Sequence, residues 1–484
     1  MLGTLKINIG YDKLLVYDVS GRPIIYQPNG TYIDMFNDDD NSSYNRNTVN
    51  DIESTFSIKF PYTLEQYNKV ELQNKLNTFY SYLFPFSPDY GTFNPGIIED
   101  FIASNEQFIY PIILADNNIF NRNETIEIPQ NLAEYIRLGN AKLVFCYLLE
   151  GHFGSIDSHY VWLSNLSKKY GFKKENILIL TGNMLANEIH QQLVSSNIVE
   201  DNFTIYPFAW FGHHIFFHEG GWKLNTDVKT SAYESFFNSL NENRTLKKEL
   251  PFLSFNRLAK VHRACIFAEL RTNPLFKDKY IVSFGNIQTL KAQETITFVE
   301  MISRDIREDY KYGKERLIEF FKTHDQDSHF TYDCSDFENN KAEVLNKEAH
   351  SRTFVNIVNE SLTNERSIFF SEKTFKPIFM CQPFILFGNP YSLKKLREMG
   401  NRTFDKWWDE SYDLETDFTR RLEKIVSIMI EIASWDLDKL YEITNEMEEV
   451  LFHNFNIMMN DSDVLDLYKV LDMGDRKLKN TKLI

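Results

Sequence analysis

The sequence predicts an α/β chain of two sheet-and-helix domains followed by a helical tail, and three observations carry that prediction. Apolar runs that close on glycine or a polar turn alternate with stretches of helical spacing, first from Phe108 to Pro207 and again from Phe252 to Gly388. At 484 residues the chain is too long for one hydrophobic core. A polar stretch, Asn241-Glu242-Asn243-Arg244-Thr245, parts the two alternating halves ahead of Pro251. The expected division is 1–250, 251–413 and a tail over 414–484.

In order, Leu14 to Val19 and Pro23 to Tyr26 alternate around the turn Ser20-Gly21-Arg22-Pro23, which predicts a small antiparallel start. Asp38-Asp39-Asp40 reads as a solvated acidic loop. Leu64 to Leu83 has helical spacing, and Phe108 to Ala115 reads as a buried strand. Leu132 to Leu138 predicts a helix closed by Gly139, and Lys142 to Leu149 a core strand. Helices follow at Tyr160 to Tyr170 and Ala186 to Ser195, with strands at Ile177 to Leu180 and Phe203 to Pro207. Strand, helix and strand in succession make this a Rossmann-like domain.

The second half repeats the pattern with strands Phe252 to Phe255, Tyr280 to Phe284, Phe354 to Val358 and Pro383 to Phe387. Helices are expected over Val261 to Leu270, Arg316 to Phe321 and Leu393 to Met399, and one starts at Ser371-Glu372-Lys373. Amphipathic segments Phe418 to Ile432, Leu437 to Leu451 and Val464 to Leu471 form the tail.

Composition narrows the function. A net charge of −16 argues against general nucleic-acid binding, which relies on Lys and Arg neutralising phosphates. No apolar run reaches the length of a membrane span and no signal-like segment opens the chain, so a cytoplasmic protein is expected. Cys146, Cys265, Cys334 and Cys381 lack paired spacing and read as reduced thiols. Neither a P-loop nor a Gly-x-Gly-x-x-Gly turn occurs, which counts against an ATPase or a dinucleotide enzyme.

The chemistry concentrates where strands end. Ser371 caps a helix whose first turn holds Glu372 and Lys373, so free N–H groups and an ammonium seat a phosphate while the carboxylate accepts from a ribose diol. The turn Asn256-Arg257-Leu258-Ala259-Lys260, with His262 and Arg263 following, offers guanidiniums and an ammonium to a diphosphate. Asn359, Glu360 and Ser361 form the polar turn after the next strand. In the first half Glu150, at a strand end, is the candidate catalytic base, with His152 beside it. Phe211 to Trp222 holds His213, His214 and His218 without the spacing of a zinc site; His213, His214 and Trp222 are acceptor-side candidates, and an aromatic core is the plain alternative. No metal ligand set is expected.

Strand, polar turn, Ser-Glu-Lys helix start, then strand and Gly388 resemble the donor-binding signature of α-1,3-fucosyltransferases and, more loosely, of exostosin-like enzymes. Val358-Asn359-Glu360-Ser361 stands where that family has Phe-Glu-Asn-Ser. Asn401 to Asp413 looks like segments of virus- and phage-type glycosyltransferases, for which the host cytoplasm is implied. The resemblance implies a GT-B fold, two Rossmann-like domains facing a cleft, with the tail crossing back onto the first. It also implies metal-independent, inverting transfer of a sugar from a nucleotide diphosphate sugar, a co-substrate and not a bound cofactor, to a glycan or other hydroxyl acceptor. Arg257 or Arg263 and Lys373 would bind the pyrophosphate, and Glu150 would take the acceptor's proton. Two rival readings are transfer to hydroxymethylated pyrimidines of DNA, which the acidic charge disfavours, and an inactive nucleotide- or glycan-binding protein.

Overall fold

The computed structural model describes residues 14–17, 23–26, 32–34, 56–62, 91–105, 107–113, 128–147, 156–212, 248–256, 260–284, 298–323, 345–363, 366–458, 467 and 470–471. The chain is mixed α/β with two four-stranded parallel sheets, and it divides into two compact units, 1–208 with 461–484 and 209–460.

In the first unit β1 (Leu14–Tyr17), β2 (Pro23–Tyr26) and β3 (Tyr32–Asp34) form the expected antiparallel start. A parallel pair follows, β4 (Phe56–Tyr62) and β5 (Gly91–Ile97), then the short helix α1 (Ile98–Ala103). The main sheet runs β6 (Phe108–Ile113), β7 (Ala141–Tyr147), β8 (Ile177–Thr181) and β9 (Thr204–Pro207) in that spatial order. The helices α2 (Gln130–Arg137), α3 (Ile156–Tyr170) and α4 (Ala186–Ser195) make its crossovers. A parallel sheet covered on both faces needs apolar residues at successive positions, and every residue of β8 is buried. Leu143 and Phe145 of β7 and Ile179 of β8 share one core with Ile136 of α2, Leu163 of α3 and Ile189 of α4. Gly139 ends α2 with φ +83°, a left-handed turn that glycine adopts without strain.

The second unit holds β10 (Leu250–Asn256), α5 (Val261–Thr272), β11 (Tyr280–Phe284), α6 (Phe298–Asp305), α7 (Lys314–Thr323) and α8 (Lys347–Arg352). After these come β12 (Thr353–Asn359), α9 (Glu372–Phe379), β13 (Phe384–Phe387) and α10 (Ser392–Glu398). The sheet order is β11-β10-β12-β13, all parallel. Phe267 of α5 stacks on Phe284 of β11 at 4.5 Å, which places α5 over that face.

The expected boundaries need correction, because the second unit begins at 209 rather than 251 and extends past 413. α11 (Phe418–Ala433), α12 (Leu437–Glu446) and α13 (Glu448–Met458) belong to it. α11 packs on α5 and β13, with Phe418 stacked on Phe387 at 5.5 Å, and α13 packs on α9 through Phe455 and Phe379. Their apolar stripes complete the core of the second unit and are not a separate tail. The stretch expected as one helix from Leu437 to Leu451 breaks at Met447. Only 461–484 returns to the first unit, where Leu467 and Leu471 are buried and Val470 O accepts from Lys142 Nζ at 2.9 Å. Of the cysteines, Cys146, Cys265 and Cys381 are buried and form no disulfide among the described residues, Cys334 lies outside those residues, and burial pushes the Cys146 thiol up to about 12. Among the described residues no helix is long and apolar enough to cross a membrane.

The segment from Asn401 to Asp413 ties the closing helices to the sheet. Arg402 N donates to Asn454 Oδ1, and the Tyr412 hydroxyl accepts from Leu386 N in β13 at 3.1 Å. Buried Glu410 accepts from Phe404 N at 2.8 Å and meets Arg397 Nη1 at 3.0 Å. Burial outweighs both contacts and pushes its carboxyl up to about 7. An acid whose folded pKa is raised binds its proton more tightly when folded, so its contribution is whole below pH 4.5 and is lost as the pH climbs through 7. Glu410→Gln is therefore expected to match the wild type near pH 4.5 and to exceed it by up to about 3 kcal/mol at pH 7.5. Denaturant titrations across that range check this, and a stability difference independent of pH would contradict it.

Candidate functional site

From β10 the chain crosses to β11 on one side and later returns to β12 on the other, so the connection reverses between β10 and β12. In open α/β sheets ligands bind outside the carboxyl ends of strands at such a reversal. Leu253 pairs with Asn356, and three residues further along the same register Asn256 and Asn359, the last residues of their strands, stand level. Both are buried. Each donates Nδ2 to Ser254 Oγ, at 3.0 and 3.1 Å, and Ser254 Oγ donates to Ile357 O. Among the described residues neither Oδ1 accepts a hydrogen bond. An unpaired buried acceptor costs about 1–3 kcal/mol, so two of them at a reversal point mark a place for a hydroxyl or amide donor.

Next to this pair, the first turn of α5 grips the loop after β12. Lys260 Nζ donates to Ser361 O, and Arg263 Nη2 to Glu360 O at 3.1 Å. His262 Nε2 lies 2.7 Å from Glu360 O. A carbonyl only accepts, so Nε2 carries the proton. Burial, and after it the charge of Arg263, hold His262 well below its ordinary pKa and keep it neutral. Arg421 of α11 adds a fourth grip, donating Nη2 to Thr363 O and Nη1 to Glu415 O. Arg263, expected to face a diphosphate, is 2% exposed and turned inward on a carbonyl.

Glu360 is also spoken for. Its Oε2 accepts from Ser361 N at 3.0 Å, and its Oε1 accepts from Ser371 N at 3.0 Å and from the Thr374 hydroxyl. The carboxylate brackets the end of β12 to the start of α9. Ser361 is buried in the same turn.

Ser371 caps α9 as its residue type predicts, accepting from Lys373 N at 3.3 Å. Glu372 and Lys373 occupy the first turn as an ion pair, with side chains 16% and 20% exposed. Burial pushes the Glu372 carboxyl up, but Lys373 and Lys376 pull it further down, so it is ionised. These two charges, at a helix end that attracts anions, reach solvent where the other described candidates of this edge, half-buried Lys260 aside, are buried. The approach to α9 is aromatic: Phe211 meets Phe369 edge to face at 5.7 Å, and a Cβ on Gly212 would come within 3.1 Å of the Phe375 ring. Trp210 is buried against half-buried Phe211, and of the histidine-rich stretch only Phe211 and Gly212 are described.

The structure thus brings Asn256, Lys260, Arg263, Asn359, Glu360, Ser361, Ser371, Glu372 and Lys373 to one edge of one sheet. Arg257, Glu150, His152, His213, His214 and Trp222 lie outside the described residues. Sequence reasoning missed Ser254 and Arg421. Ser254 and Asn256 at period two in an otherwise apolar strand were a readable signal, whereas nothing in an arginine on an amphipathic helix announces burial. In the first unit the carboxyl edge carries Thr181 and buried His159, whose ring stacks on Tyr147 at 5.7 Å. Among the described residues no group of three or more His, Cys, Asp and Glu is placed to hold a metal ion. Compared with protein-family models, curated proteins and solved structures, the chain matches none.

Proposed function

We propose that the chain is a glycosyltransferase of GT-B type, resembling the α-1,3-fucosyltransferases, whose second unit holds a nucleotide diphosphate sugar. One observation carries the reading: the Glu372–Lys373 pair opens a helix whose start is pinned, through Glu360, to the strand that ends at the reversal point. A departing diphosphate gains negative charge as the glycosidic bond breaks, and a fixed helix end with an ammonium stabilises that charge without reorganising. The Asn256 and Asn359 oxygens supply acceptors for donor hydroxyls.

In this mechanism Glu150 removes the proton of the acceptor hydroxyl, whose oxygen attacks the anomeric carbon. The bond from that carbon to the diphosphate oxygen breaks, and the electron pair leaves with the diphosphate. The cost of opening the Glu372–Lys373 pair is small, since partly exposed pairs contribute about 1 kcal/mol or less.

A thermal-shift screen of UDP-, GDP- and TDP-sugars, with CMP-sugars as a monophosphate control, tests the reading. One diphosphate sugar is expected to stabilise the protein by about 2.7 kcal/mol at a hundred times its Kd and then to be turned over with a hydroxyl acceptor. No shift and no turnover with any of them would overturn the proposal.

A further inference from the structure

We infer that Tyr391, on the loop after β13, is the platform on which the donor's nucleobase stacks, an inference that rests on the function proposed above. Among the described residues five besides glycine have left-handed backbones, and three of them are Asn or Asp, which tolerate it. A fourth, Cys381, follows the end of α9, where such a conformation closes a helix. Tyr391, at φ +68°, precedes a helix instead, so no helix end accounts for it.

The loop is held in this conformation from both sides. Tyr391 N donates to Asp413 O at 2.6 Å, and the Asp413 carboxylate is fixed by Leu393 N and Lys394 N. Asn389 Nδ2 donates to Ser367 O in the stretch that leads to α9. A Cβ on Gly388 would lie 3.6 Å from Glu360 Cβ, so the loops after β12 and β13 touch. Asn389, Ser392 and Leu393 around it are hydrogen-bonded, yet Tyr391 is 44% exposed, and no described ring stacks on it. Strain kept at a surface aromatic, with its backbone over-determined, is the pattern of a ligand contact.

Position supplies the ligand class. β13 is hydrogen-bonded to β12, one strand spacing of about 5 Å from the reversal point. A nucleoside diphosphate with its phosphates at Lys373 has its base within reach of that loop, and a base offers a flat π face to an aromatic ring.

The test compares the wild type with Tyr391→Gly and Tyr391→Phe, titrated with the nucleoside diphosphate that the wild type binds and separately with inorganic pyrophosphate. Glycine relieves the backbone, so Tyr391→Gly is expected to melt at the same or a higher temperature while binding the nucleoside diphosphate about 10-fold more weakly, with pyrophosphate affinity unchanged. Tyr391→Phe is expected to bind as the wild type does. Undiminished nucleoside diphosphate affinity in Tyr391→Gly would overturn this inference alone, and so would an equal loss for pyrophosphate, which would mean a collapsed loop. A wild type that binds no nucleoside diphosphate would remove the proposed function as well.

Discussion

Lys373→Ala is expected to lower sugar transfer at least 100-fold and to leave the melting temperature within a few degrees of the wild type. The ammonium sits in the first turn of α9 with its side chain 20% exposed, and its ion-pair partner is the neighbouring Glu372. Truncation removes a short-range surface pair worth about 1 kcal/mol or less, and Lys376 still faces the Glu372 carboxylate. The catalytic effect is far larger, because one preorganised group aimed at developing charge is worth about 10²–10³ in kcat. Lys373→Arg keeps the charge and changes its shape, so it is expected to recover part of the rate and most of the nucleotide affinity. The measurement is single-turnover transfer beside a melting curve, and unchanged turnover in Lys373→Ala would remove the centre of the proposal.

The elements that could be read in advance are those with local signals. Core strands such as Ile177–Thr181 and Phe384–Phe387 are apolar runs, and α9 announces itself through the Ser371 cap. What escaped reading was where charge ends up. Arg263 and Arg421 stand on helices whose sequence looks like an ordinary polar face, yet both are nearly inaccessible and donate to backbone carbonyls, Glu360 O and Thr363 O in the loop after β12 and, from Arg421, Glu415 O as well. A carbonyl partner leaves no mark in the sequence, whereas a carboxylate at i+4 would. The closing helices show the same limit: the apolar stripe of α11 says that the helix is buried and cannot say on which surface. The edge itself was legible as a set of residue types, while its order, with buried clamps inside and an accessible ion pair outside, depends on pairings a hundred residues apart.

Glu360→Gln is expected to destabilise the protein by about 2–4 kcal/mol, a loss that comes from one oxygen becoming an amide nitrogen. The carboxylate is 1% exposed and accepts from Ser361 N, Ser371 N and the Thr374 hydroxyl. Ionised acceptors form the stronger class of hydrogen bond, so more than the count of bonds is at stake. A glutamine placed with its oxygen towards Ser371 and Thr374 turns its NH₂ onto Ser361 N–H, donor against donor, and the reverse placement sets that NH₂ against Ser371 N–H at the start of α9. Glu360→Ala loses all three contacts and is expected to cost about 3–5 kcal/mol, with a cavity added to the unpaired N–H groups. Because Ser371 N is one of the donors released, the start of α9 loosens, and diphosphate affinity is expected to fall in Glu360→Gln even where the protein is still folded. Denaturant titrations with pyrophosphate binding at low denaturant separate the two effects. A Glu360→Gln protein as stable as the wild type would show that the start of α9 is fixed by the packing of its Phe375 against Phe370, and that the carboxylate only follows.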